Sequence, residues 1–197
     1  MKLSIFLGDI ADAPADAICT STNPRLSLMM GTGASVRGRG GPAVLQACEA
    51  MLAERGSTLP AGSVHATTAG ALPHKIAIHC IASDNTHHSS EAIIRACVTN
   101  ALATAGANGC TTIAMPIFGT GHARIRFADA VRAMVQEAFG AKTRVREVKL
   151  VTNDEDRVDD MRAVLKELVR ARIDLERSPN FDAETNSLWS DDYSLLG

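Results

Sequence analysis

The sequence predicts an α/β fold, a three-layer α-β-α sandwich with a mixed, mostly parallel central sheet flanked by helices. Three observations predict it. Short apolar runs alternate with helix-period segments along nearly the whole chain, glycine and proline punctuate the junctions, and the helical segments are long enough to cross back over a sheet. The chain has 197 residues, enough for one sizeable core.

Residues 2–7 form an apolar run that ends at Gly8-Asp9. Residues 16–22 read as a second strand, bounded by Pro14 and Pro24. Residues 42–55 read as a helix with Val44, Leu45, Cys48, Met51 and Leu52 on one face. Pro42 suits its first turn and Gly56 its end. Residues 63–69 and 75–81 look like two strands around Gly70 and Pro73. Ser90 can cap a helix running to about Ala105, with Glu91 in its first turn. Residues 110–116 read as a buried strand, 126–139 as a helix, 146–152 as the last strand and 158–173 as a last amphipathic helix. Asp154, Glu155 and Asp156 suit a helix start, where acidic groups complement the dipole. Two units are expected: a domain over 1–175 and a polar, acidic tail over 176–197, with Trp189, Tyr193, Leu195 and Leu196 as isolated apolar anchors.

Composition excludes several classes. Apolar and charged fractions of 46% and 21% are ordinary, and a net charge of -2 gives no electrostatic footprint for nucleic acid. With one Trp and one Tyr, no stacking platform for single strands is evident. No apolar run reaches membrane-spanning length, and the N-terminus enters strand-like sequence directly, unlike a signal peptide. Cys19, Cys48, Cys80, Cys97 and Cys110 are odd in number, lie in or beside apolar segments and form no CxxC. They read as buried free thiols in a reducing compartment, so a cytoplasmic location is expected.

Two glycine-rich stretches carry the chemistry. The first, 23–35 with a continuation to Gly40-Gly41, follows a strand and contains Gly31-Thr32-Gly33. The second, 116–123, follows another strand and contains Gly119-Thr120-Gly121. In an open α/β sheet, ligands sit beyond the carboxyl ends of the strands, and glycines let backbone N–H groups approach a phosphate. The two stretches are expected to grip a ribose-phosphate ligand from two sides. No GxxxxGK[ST] occurs, and the formal GxGxxA match at 38–43 does not directly follow a strand, so it reads as chance. No metal site is expected. His87-His88 has no completing ligand spacing, and His79, within an apolar strand, reads as a satisfied core histidine. His122, beside the second stretch, is a candidate donor to phosphate or ribose, or a general acid/base, against the plainer reading of an exposed loop histidine. Arg37, Arg39, Arg124 and Arg126 either meet phosphate or are solvated.

In this order the motifs resemble the macrodomain family of ADP-ribose-binding modules, over roughly residues 1–173. Gly8-Asp9-Ile10, the strand 15–23 ending in Asn23, Gly31-Thr32-Gly33, the strand 76–80 and the stretch 115–121 carry the resemblance. It implies binding of ADP-ribose or a related NAD-derived nucleotide, free or attached to protein, with hydrolysis of the ADP-ribosyl linkage as the enzymatic form. The alternative is a non-catalytic sensor or adaptor in which ligand binding reorganises the loops or the acidic tail to signal to a partner. Asp9 would then accept the adenine amino group beside the Ile10 N–H. Asn23 would bond the distal ribose. Gly31, Thr32, Gly33, Ala34, Ser35, Gly119, Thr120, Gly121, His122 and Ala123 would wrap the diphosphate and ribose. Asn23 and His122 are the catalytic candidates, and no cofactor is implied. The sequence departs from the family pattern in four places. Thr20 replaces the first Asn of the second strand, 34–37 holds no carboxylate, His122-Ala123-Arg124 replaces an aliphatic and an aromatic, and Asn153 stands where an adenine-stacking aromatic is expected.

Overall fold

The computed structural model describes residues 1–121, 123, 125–168, 174–177 and 179. Seven strands form one sheet: β1 (Lys2–Leu7), β2 (Ala17–Thr22), β3 (Val64–Thr67), β4 (Ile76–Ile81), β5 (Thr112–Pro116), β6 (Glu147–Thr152) and β7 (Asp174–Arg177). Their order is β3-β4-β2-β5-β6-β1-β7. Among the described residues only β3 runs antiparallel, against β4. The remaining pairings are parallel, with Leu7 beside Thr152, Thr22 beside Ile81 and Pro116 beside Val151.

Alternate side chains of each strand enter opposite layers. Ile5, Leu7, Cys19, Ile78, Ile113 and Leu150 face α3 (Glu91–Ala107), α4 (Phe127–Gly140) and α5 (Glu155–Leu168). Phe6, Ile18, Ala77, Ile81 and Val151 face α1 (Gly31–Gly40) and α2 (Pro42–Arg55), which contribute Val36, Val44 and Cys48. Burial on both faces explains why the strands read as continuous apolar runs. All five cysteines are buried and free. Among the described residues, no helix is long and apolar enough to cross a membrane.

The element order follows the sequence expectation, with three differences. The stretch 31–40, expected to be loop, is helix α1, which packs against β2 and is tied to it by Thr32 Oγ1 accepting the Ser21 N–H at 3.1 Å. β7 is an edge strand the pattern did not mark, laid parallel to β1 with Leu7 beside Arg177. α5 starts at Glu155, three residues before the expected position, after Thr152 Oγ1 accepts the Asp154 N–H at 3.1 Å.

Gly70 fixes how the end of α1 meets its neighbours. Its φ is +64°, and a Cβ there would stand 1.9 Å from the Gly40 carbonyl oxygen. That oxygen accepts the Ala71 N–H at 2.9 Å.

Candidate functional site

The parallel neighbours β2, β5, β6 and β1 deliver their carboxyl ends to one edge of the sheet. Asn23 follows β2, Gly119 to Gly121 follow β5, Asn153 follows β6 and Asp9 follows β1. Residues far apart in sequence meet there, as the switch-point rule expects.

Asp9 caps the 3-10 turn Ile10–Asp12, its Oδ1 accepting the Ala11 N–H at 2.8 Å. Ser35 of α1 donates its hydroxyl to the same Oδ1, and Arg39 Nη1 lies 3.7 Å from it. Arg39 is anchored by Asp12, Nη2 to Oδ1 at 2.5 Å. These contacts all fall on one carboxylate oxygen, and Asp9 keeps 43% of its side chain exposed. Ile10 buries its side chain, and the N–H groups opening such a turn have no partner inside it.

Asn23 is half-buried and shapes the turn after β2. Its Oδ1 accepts the N–H groups of Arg25 at 3.0 Å and Ser27 at 3.3 Å. The side-chain NH2 is left as the donor face. α1 then begins at Gly31 without a side-chain cap on its first N–H groups and without an acidic residue in its first turn. Such a helix start holds donors and a positive dipole end for an anion. Gly33 lies against Leu28, where a Cβ would come to 3.0 Å from the Leu28 Cα.

Gly119 has φ +74°, and a side chain there would strike Ser89 Oγ at 2.9 Å. Thr120 Oγ1 turns back to donate to the Ile117 carbonyl at 2.9 Å, which closes the turn. The Ala123 carbonyl accepts the Ser89 N–H at 3.3 Å, and the Gly119 carbonyl accepts the Ile125 N–H at 3.2 Å. Ser89 Oγ itself is buried and has no hydrogen-bond partner among the described residues. His122 and Arg124 lie outside the described residues, so His122 has no position in this geometry. Asn153 is exposed beside Gly8, whose N–H bonds the Thr152 carbonyl at 2.8 Å.

Beneath the site runs a buried polar stripe. His79, on β4, lies between Thr20 Oγ1 (2.9 Å to Nδ1) and Thr67 Oγ1 (2.8 Å to Nε2), with Cys48 Sγ 3.5 Å from Nε2. Burial pushes the His79 ring down to about 4 and the Cys48 thiol up to about 11, so both are neutral at pH 7. Thr20, where the resemblance expects an Asn, thus serves the core and not a ligand. Among the described residues no cluster of three or more His, Cys, Asp or Glu could hold a metal ion. A surface cavity of about 590 Å³ is lined by Arg25, Leu52, Ala53, Ser57 and Thr58 and includes none of the candidate ligand-binding residues.

A carboxylate, an amide and two glycine-bearing N–H clusters around the ends of parallel strands define a nucleotide-type binding module on an α/β sheet. The Macro domain family model matches residues 19–134, and the chain belongs to the macro domain family. It is 35% identical to the Macro domain-containing protein in sno 5'region of Streptomyces nogalater, over 77% of this chain and 85% of that one. It is 28% identical to the O-acetyl-ADP-ribose deacetylase of Citrobacter rodentium, over 79% and 90%. Its fold matches an Oceanobacillus iheyensis macrodomain mutant with ADPR at a TM-score of 0.79 and 25% identity, covering 86% and 94%.

Proposed function

We propose that this protein binds ADP-ribose, free or attached to protein, along the carboxyl edge of its sheet. The observation that carries the reading is the convergence of Asp9, Asn23, the uncapped start of α1 and the Gly119 turn at the carboxyl ends of β1, β2 and β5. Asp9 presents its less engaged oxygen to the adenine amine, with the Ile10 N–H beside it. The N–H groups of Gly31, Thr32 and Gly33, ahead of the Ala34 N–H that the Met30 carbonyl takes at 3.2 Å, and those of Gly119 to Ala123 receive the diphosphate, with Ala34 and Ser35 lining it. The Asn23 NH2 donates to the distal ribose. Relatives named as O-acetyl-ADP-ribose deacetylases and a fold match solved with ADPR support the reading.

Hydrolysis would need a water activated without a carboxylate from the first turn of α1. The Asn23 amide and the glycine-bearing turns would then orient the ribose and the water, and His122 is the acid/base candidate. The missing acid favours a second reading, a sensor or adaptor that binds and signals without turnover. A cytoplasmic location agrees with five buried free thiols. A contact with a protein partner through residues 176–197 belongs to the same proposal.

Calorimetric titration with ADP-ribose tests the binding step; absence of heat at millimolar ligand sinks it. Incubation with O-acetyl-ADP-ribose and with an ADP-ribosylated protein, with wild type and His122→Ala, separates the enzyme from the sensor.

A further inference from the structure

A purine held only by its amino edge leaves both ring faces to be covered. Among the described residues no free aromatic face stands at the Asp9 end. Phe6 and Phe118 are buried in the core. Phe127 already carries the Arg157 guanidinium 4.7 Å over its ring. Phe139 lies at the end of α4, toward the opposite edge of the sheet. The position after β6 is Asn153.

One planar group does stand there. Arg39, in the last turn of α1, is fixed by Asp12 at 2.5 Å and lies 3.7 Å from Asp9 Oδ1, with 45% of its side chain exposed. An amine bonded to Asp9 puts its purine ring within about 6 Å of that guanidinium, the range of a cation–π contact. We infer that Arg39 is the adenine platform of this protein, its guanidinium plane stacking on the base that Asp9 reads by its edge. The inference rests on the ADP-ribose reading and deepens it. It assigns Arg39 to the base and not to the diphosphate, because its two carboxylate neighbours place it at the Asp9 end of α1, at the far end of that helix from the N–H groups of its first turn. Asp12 becomes a positioning residue, since it holds the plane without touching ligand. A guanidinium suits the task better than an ammonium, which has no face to stack.

The test is calorimetric titration of wild type, Arg39→Ala, Arg39→Lys and Asp12→Ala with three ligands: ADP-ribose, adenosine monophosphate and ribose 5-phosphate. Arg39→Ala weakens both adenine ligands by about 3- to 20-fold and leaves ribose 5-phosphate unchanged. Arg39→Lys loses a similar amount, and Asp12→Ala a smaller one. Thermal unfolding of each variant confirms that the fold is intact. Arg39→Ala binding ADP-ribose as well as wild type, or better, overturns the inference alone. So does wild-type adenine-ligand affinity in Arg39→Lys, which would show that charge suffices, and so does an equal loss for ribose 5-phosphate, which would move Arg39 to the phosphate. A wild type that binds no ADP-ribose overturns the functional reading and this inference together.

Discussion

Thr20 donates its hydroxyl to Nδ1 of His79 across 2.9 Å in a fully buried position. The proton assignment follows from the far side of the ring. Thr67 gives its own hydroxyl proton to the Thr68 carbonyl at 3.0 Å, so its oxygen accepts from Nε2–H of His79. The neutral Nε2–H tautomer therefore satisfies both threonines, whereas an imidazolium would make Thr20 accept from Nδ1–H and turn its own hydroxyl proton away from the ring.

That geometry predicts a stability that weakens in mild acid. The ring titrates at about 4 when folded, against an ordinary 6.5. Between these values the unfolded chain binds the extra proton, so stability is complete above pH 6.5 and declines as pH falls toward 4. The loss approaches roughly 3 kcal/mol. Urea unfolding at pH 7.5 and pH 5 measures it, and His79→Gln removes this part of the pH dependence.

Asp16 predicts a second, separable acid effect. Backbone N–H groups of Thr111 and Thr112, at 2.7 and 3.2 Å, and Lys75, at 3.0 Å, hold its carboxyl well below the usual range. Its contribution is present above about pH 4 and disappears only as pH drops through the lowered value. Asp16→Asn at neutral pH lowers unfolding free energy by about 1.5–3 kcal/mol. It leaves ADP-ribose affinity unchanged, because these bonds lie at the amino edge of the sheet.

Asn23→Asp separates the turn from the ligand. The new carboxylate still accepts the Arg25 and Ser27 N–H groups, so the melting temperature stays within a few degrees of wild type. The NH2 donor is gone and a negative charge faces the diphosphate, so ADP-ribose affinity falls at least about tenfold. Equal affinity by calorimetry would remove Asn23 from the binding site.

Gly70→Ala tests the seat of α1. The added methyl meets the Gly40 carbonyl in a left-handed backbone conformation, which costs about 2–4 kcal/mol. The expected result is a lower urea midpoint together with weaker ADP-ribose binding, since α1 carries Ser35 and Arg39.

The sequence made the parallel strands and their carboxyl ends legible, because runs such as 2–7 and 75–81 are apolar throughout and end in glycine, proline or polar residues. It concealed α1. Four of its ten residues are glycine and it shows no apolar stripe, so local propensity argues for loop. Long-range contacts override that preference: Thr32 to Ser21, Gly33 against Leu28 and Val36 in the core. β7 was hidden because Asp174-Leu175-Glu176-Arg177 is short and charged, and only pairing with β1 makes it a strand. The positions of Asp9, Asn23 and the Gly119 turn were readable as strand-end motifs. The Arg39–Asp12–Asp9 arrangement was not, because it joins residues up to 30 apart through folding alone.

α1 is hydrogen-bonded to β2 through Thr32 and to the β1 turn through Ser35. The helix is thus a strut between the place where a base would sit and the place where a distal ribose would sit. Free energies of binding at the two ends are then not independent. In a double-mutant cycle, Asp9→Ala and Asn23→Asp together lose less than the sum of their separate losses, since the first already releases one anchor of the strut. A ligand that spans both ends gains from each anchor the order that the other has already imposed, so half-ligands bind more weakly than their share of the contacts implies.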